Sequence, residues 1–189
     1  MNPAALGALT LVLLISTVLV RVRMLRRRGI AAMRFGAIDK TDFLIPPFAF
    51  VCFYVVFAGA FGWPTFVHER IFSSSELQWV GVVLCALGWI LQVATLVSFG
   101  ASFRVGIDTE RPAALVTSGT FAISRNPIYV AFASVLLGEF LIQPSWLLLI
   151  YLAGGIGLMH RQVLREEAFL RVQYGQAYAD YTTRVRRYF

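Results

Sequence analysis

The sequence predicts an all-α integral membrane protein with about five transmembrane helices, a C-terminal helical hairpin and a cytoplasmic C-terminal helix. Three observations predict it. Of 189 residues, 58% are hydrophobic and only 14% charged, with a mean hydropathy of +0.71, whereas soluble domains carry about 25% charged residues. The apolar residues fall in uncharged runs close to the length of about 20 residues that a spanning helix needs. The basic residues gather between alternate runs. The same composition excludes a disordered chain, a fibrous repeat and a disulfide scaffold, since there are only two cysteines, Cys52 and Cys85.

The first run, Ala4 to Val20, ends at Arg21, Arg23, Arg26, Arg27 and Arg28. Its positive charges follow the apolar stretch, and no small-residue cleavage site is evident, so it is expected to be a retained anchor. Phe43 to Trp63 is uncharged, with Pro46 and Pro47 in its first turn, where a missing N–H costs least. Leu77 to Phe103 exceeds one span, so its last residues are expected along the interface. The stretch from Ile128 to Met159 is too long for one helix and is interrupted at Gln143-Pro144-Ser145. Proline there predicts a tight turn and hence a hairpin, roughly 128–142 and 146–159. Both cysteines fall within spans, where packed thiols are expected, and no metal-binding spacing is present.

Placing the Arg21 to Arg28 run in the cytoplasm fixes the remaining loops by alternation. Loop 21–42 then holds seven of the 17 basic residues, including Lys40; segment 99–127 holds Arg104, Arg111 and Arg125; and tail 160–189 holds six more. Arg70 alone falls on the outer side, beside His68 and Glu69. The net charge of +7 is therefore mostly the retention of basic loops on the cytoplasmic side, with attraction to anionic lipid added, and argues little for nucleic acid. This gives a multi-pass protein with its N-terminus outside and C-terminus cytoplasmic. Sixteen arginines against one lysine suggest a GC-rich bacterial genome, and hence an inner membrane.

The polar residues gather at the cytoplasmic ends of the hairpin. In Gly119 to Tyr129, Pro127 suits the first turn of the fourth span; the free N–H groups there, with Arg125, form an anion site. In Arg161 to Glu167, adjacent carboxylates stand at a surface otherwise poor in acid. Val163, Leu170, Tyr174, Tyr178 and Tyr181 recur at helical spacing, so the helix is expected to continue out of the fifth span against something apolar. Gly154-Gly155-Ile156-Gly157 resembles a nucleotide loop but sits in an apolar span without a preceding strand, so close helix packing is expected. Glu139, about one turn from the outer end of its span, is expected to snorkel, and His160 to face the pocket or mark the interface.

A cationic anchor beside paired carboxylates suits a zwitterionic, cationic ligand. The order Leu115-Val116-Thr117-Ser118-Gly119, Arg125-Asn126-Pro127-Ile128-Tyr129, an apolar hairpin, Glu166-Glu167, and Tyr174-Gly175-Gln176-Ala177-Tyr178-Ala179-Asp180-Tyr181 resembles the isoprenylcysteine carboxyl methyltransferase and phospholipid methyltransferase superfamily. The resemblance runs from about residue 100 to residue 187.

That resemblance implies an enzyme whose C-terminal part, 99–189, binds S-adenosylmethionine in a cytoplasmic pocket, releases S-adenosylhomocysteine and admits a lipophilic acceptor from the bilayer, while 1–98 supplies three spans. By motif position, Leu115, Val116, Phe121, Asn126, Pro127, Ile128 and Tyr129 would line the cofactor, Arg125 would meet its carboxylate and Glu166 would supply the acidic contact. The family's substrate-contacting arginine falls at Gln162; Arg161 and Arg165 flank it and, with Glu167, are the catalytic candidates. The chain also departs from the family pattern at Asn126, Phe121 and Ala113, which leaves the acceptor open among carboxylate, amine and thiol, lipophilic or small and amphiphilic. The rival expectation is a non-enzymatic or degenerate membrane protein that binds the cofactor or a lipid without turnover.

Overall fold

A computed structural model describes residues 2–29, 45–64, 70–100 and 114–189, with the backbone alone for 45–47. Phe43, Phe103, Lys40, His68, Glu69, Arg104, Arg111 and Ala113 lie outside the described residues. Among the described residues the chain forms α1 (Pro3–Arg27), α2 (Ile45–Phe61), α3 (Ser75–Phe99), α4 (Pro127–Ile142), α5 (Trp146–Tyr174) and α6 (Gln176–Arg184), with a short 3-10 turn at Gly119–Ala122. Helices α1, α3 and α5 are long and apolar enough to cross a membrane, while Phe48–Phe61 and Pro127–Ile142 are shorter apolar helices. The protein is an all-α, multi-pass membrane protein. At about 1.5 Å per residue, α4 extends about 24 Å, short of a hydrocarbon core of about 30 Å.

Local chemistry sets the helix ends. Asn2 caps α1 by accepting from the Ala4 N–H at 3.0 Å, with Pro3 at the first helical position. Ser74 and Ser145 cap α3 and α5, accepting from the N–H groups of Leu77 at 3.2 Å and Leu148 at 3.3 Å. Gln143-Pro144-Ser145 makes the expected turn between α4 and α5. The Gln143 side chain donates to the Val56 carbonyl at 3.0 Å, and the Ile71 N–H donates to Pro144 at 2.7 Å.

Helices α3 and α4 run antiparallel in close contact because small residues meet at their crossing. A Cβ added to Gly138 would stand 2.6 Å from Cys85 Sγ and 2.6 Å from the Gly81 carbonyl, and one added to Gly88 would stand 2.7 Å from Val135 Cγ2. Lipid offers little hydrophobic drive between helices, so this close approach supplies the association. Phe50, Val83, Leu87, Ile90 and Ile150 remain exposed on the outside of the bundle, where a bilayer would cover them.

The two ends of the bundle differ. At one end Arg70 bridges to Ser145 beside the α4–α5 turn. At the other, Arg21 donates to the Gly100 carbonyl, and the 3-10 turn docks on α3 through the Thr120 N–H, which donates to Ser98 Oγ at 3.1 Å. The glycine cluster in α5 is only partly a packing feature. Gly155 is buried against Leu136, whereas a Cβ on Gly154 or Gly157 would meet nothing.

Two expectations are corrected. Glu139 does not snorkel: it is fully buried, with Oε2 directed at Gly7, where a Cβ would stand 2.6 Å away. Gly7 leaves the space that admits the carboxyl into the core. The helix leaving the fifth span also does not continue through Tyr181. It stops at Tyr174 because Gly175 adopts φ 50°, a left-handed conformation that favours glycine. Tyr178 and Tyr181 therefore belong to a separate helix, α6.

Candidate active site

The apolar part of α5 ends at about Met159; from Arg161 the helix is charged and lies beyond the spanning segment. Chain reversal at Gly175 brings α6 and the strap 185–189 back against the start of α4. Backbone bonds fix the strap. The Arg125 N–H donates to the Arg186 carbonyl at 3.0 Å, while Ser124 Oγ and Asn126 Nδ2 each donate to the Arg187 carbonyl at 3.3 Å.

Adjacent on α5, Glu166 and Glu167 serve different partners. Glu167 is buried and receives Arg187 in a fork, from Nε at 3.1 and 3.2 Å and from Nη2 at 2.9 Å. Asn126 Nδ2 donates to the same carboxylate at 3.3 Å, and Arg125 Nη2 stands 3.5 Å from it. Burial pushes the Glu167 carboxyl up, but the Arg187 hydrogen bonds, the Arg125 and Arg187 charges and the Asn126 amide outweigh it, leaving the group below its usual range. The anion beside Arg125 at the start of α4 is thus the chain's own Glu167. Glu166 instead accepts from the Tyr129 hydroxyl at 2.6 Å and from Gln162 Nε2 at 3.1 Å, and burial raises it above its usual range despite both bonds.

Around this cluster lie buried polar atoms without a hydrogen-bond partner among the described residues: Arg125 Nε, the Tyr178 hydroxyl and Thr120 Oγ1. The Tyr178 hydroxyl lies near the Arg125 guanidinium without bonding geometry. Tyr181 donates to the Phe121 carbonyl at 2.6 Å, and its phenol is pushed up to about 12, chiefly by burial, so it stays a donor. Phe121 packs edge-on against Phe99, with ring centres 4.6 Å apart. Pro127 is buried, Ile128 packs with Leu25 and Leu96, and Leu115 and Val116 run half-buried in the segment before the 3-10 turn. Arg161 is exposed and Arg165 half-buried on α5.

An apolar groove of about 650 Å³ opens beside this cluster. Its walls include Leu87 and Leu91 of α3, Val130 and Leu137 of α4, and Ile156 and Met159 of α5. Its polar side chains are Tyr129, Ser134, His160 and Tyr188. Tyr129 therefore belongs to both regions, lining the groove and bonding to Glu166.

The structure brings Arg125, Asn126 and Glu167 into one bonded cluster, and Tyr129 and Glu166 into a second beside it. It also adds Arg187, and gives Tyr178 and Tyr181, which the sequence placed only in a helical stripe and in the resembling motif, a position in the site. The available signal was Gly175, whose position after a long helical pattern marks a reversal that carries the tail back.

The family model described as phospholipid methyltransferase matches residues 77–177. The chain belongs to that family. The match begins with α3 and ends within α6, taking in the small-residue crossing, the groove walls and both glutamates. This phospholipid methyltransferase family member is also 29% identical over 137 residues to the protein-S-isoprenylcysteine O-methyltransferase of Tribolium castaneum, covering 68% of this chain and 48% of the relative. With the protein of the same name from Schizosaccharomyces pombe it shares 30% over 130 residues, covering 65% of this chain and 52% of that one. The chain spans about half the length of the curated relatives it matches.

Proposed function

We propose that this family member transfers a methyl group from S-adenosylmethionine to a lipophilic or small amphiphilic acceptor at the membrane–cytoplasm interface. The observation that carries the reading is Tyr129, where a polar cluster with unpartnered buried donors adjoins an apolar groove. When bound, the cofactor supplies an electrophilic methyl on a sulfonium.

The residues present fit such a group. Arg125 keeps Nε unpartnered and Tyr178 keeps its hydroxyl unpartnered, donors suited to a carboxylate. Glu166, oriented by Tyr129 and Gln162, offers a carboxyl to an ammonium or to ribose hydroxyls. By motif position Leu115, Val116, Phe121, Asn126, Pro127 and Ile128 would border the cofactor and exclude water. Methyl transfer from a sulfonium depends on in-line positioning and a dry site, which these walls would help to supply. Glu167 acts as a positioning residue by holding Arg125, Asn126 and the strap. Arg161 and Arg165 lie beyond the span at headgroup level, where cations favour an acidic lipid surface. That side is the cytoplasmic one in this reading, in a bacterial inner membrane.

Isothermal titration in detergent with S-adenosylmethionine and S-adenosylhomocysteine tests the proposal. Binding is expected, weakened at least tenfold in Arg125→Ala and in Glu166→Ala. No heat at millimolar ligand overturns it, and wild-type affinity in both variants places the cofactor elsewhere. Binding without methyl incorporation into any lipid extract would instead support a degenerate relative.

A further inference from the structure

The groove lacks charged side chains among its described lining, and the hydrogen-bonding capacity of its few polar groups is unevenly used. Ser134 donates to the Leu84 carbonyl at 2.9 Å, and Tyr129 donates to Glu166 at 2.6 Å. The Tyr188 hydroxyl meets His160 Nδ1 at 2.7 Å. Among the described residues no other partner engages the His160 ring, so its second nitrogen, Nε2, is the one side-chain nitrogen in the described groove lining without a partner.

Tyr188 does more than line the groove. Its neighbour Arg187 is forked onto Glu167, and the Arg186 and Arg187 carbonyls hold the start of α4. The Tyr188 hydroxyl is therefore fixed relative to the cluster at Arg125 and sets the tilt of the imidazole; in the tautomer in which Nδ1–H donates to the Tyr188 oxygen, Nε2 is the basic nitrogen. A histidine held in this way at an apolar groove has the arrangement of a general base.

We propose that His160 is a catalytic residue that takes a proton from the methyl acceptor, with Tyr188 as its positioning residue. The inference rests on the methyl-transfer reading above and narrows the acceptor to an apolar molecule whose nucleophile arrives carrying a proton, an amine or a thiol. A carboxylate is already deprotonated and gives such a base nothing to do. In the step, the acceptor's N–H or S–H proton passes to His160 Nε2 as its lone pair attacks the methyl carbon. The carbon–sulfur bond of the sulfonium breaks, its electron pair stays on sulfur as a thioether, and the imidazolium returns its proton to water.

The polar groups that line the groove with His160 are Tyr188 from the strap and Tyr129 and Ser134 from α4; α3 contributes Leu84, Leu87, Gly88 and Leu91, and among the described residues no charged side chain lines it. A pH profile can therefore be assigned by substitution.

The experiment offers dodecylamine, dodecanethiol and dodecanoate with labelled S-adenosylmethionine to the full chain in detergent, with cofactor affinity measured on the same samples. Methylation of the amine or the thiol is expected, falling about 100-fold or more in His160→Gln. Cofactor affinity should be unchanged, and the acid limb of the rate profile should be lost. His160→Gly should regain rate with added imidazole, and Tyr188→Phe should lose less than His160→Gln. Wild-type turnover in His160→Gln, an intact acid limb, or no product from amine and thiol in a protein that binds the cofactor overturns the inference and leaves the donor site standing. Failure to bind the cofactor overturns both.

Discussion

Two buried acids in this protein live in opposite surroundings. Glu139, in α4 within the bundle, is fully buried; Glu167, on α5 beyond the span, is nearly so. Glu139 accepts only a weak bond from Cys85 Sγ at 3.8 Å, and its second oxygen has no hydrogen-bond partner among the described residues. Glu167 has Arg187, Arg125 and Asn126. The bundle interior is thus held by shape, with its acid fitted into a space left by glycine, whereas the C-terminal cluster is held by charge. Breaking a buried ion pair is expensive because the partners are left uncompensated, while an acid without a cation strands nothing when neutralised.

The largest expected effect therefore comes from Glu167→Gln. It leaves Arg125, with a side chain only 11% exposed, without its counter-charge and weakens the fork to Arg187, which is 33% exposed. A loss of about 3 kcal/mol is expected, at the low end for a buried pair because Arg187 is partly solvated. Thermal unfolding in detergent measures it. The pH dependence has a definite sign. The folded carboxyl lies below its unfolded value of about 4.3, so its stabilisation is in place above that pH and drains away as pH falls through the folded value. Glu166 is raised by burial, so its burial cost falls on protonation and it works in the opposite sense. The difference between wild type and Glu167→Gln isolates the Glu167 contribution, and equal acid sensitivity in the two proteins would dissolve the contrast.

The bundle should instead break through volume. Gly138→Val adds atoms where Cys85 Sγ and the Gly81 carbonyl already stand 2.6 Å from a Cβ position, so α3 and α4 must separate. A loss of about 2 kcal/mol is expected, within the usual range for overpacking, and pH should not alter it. A pH-dependent loss would show that charge contributes to the bundle too.

What the sequence made legible follows the same division. Uncharged runs and a proline turn placed the starts of α1, α3, α4 and α5 within about two residues, because helices in a bilayer must satisfy their own backbone and be apolar throughout, whereas α1 and α5 run on past the apolar stretches to Arg27 and Tyr174. Pro127 at the start of α4 was equally local. The partner of Glu167 was not local. Arg187 stands twenty residues along the chain, in an arginine-rich tail where topology alone accounts for basic residues, and only the reversal at Gly175 reveals which arginine returns. Glu139 misled for a related reason. Its depth in the span suggested an escape to the interface, but the decisive residue was Gly7 on another helix, which no periodicity in α4 encodes.

The smallest expected effect is the sharpest test of the comparison. Glu139→Gln keeps the side-chain volume and an oxygen for Cys85, and no cation among the described residues depends on the carboxyl. Against this, the amide brings N–H donors into the space beside Gly7, where few acceptors wait. These terms oppose each other, and the net change is expected within about 1 kcal/mol. The same substitution should thus cost at least about 2 kcal/mol more at Glu167, beyond the apolar part of α5, than at Glu139 within the bundle. If thermal unfolding finds Glu139→Gln as damaging as Glu167→Gln, then Glu139 carries a charge that something compensates, and the division between a bundle held by shape and a cluster held by charge fails.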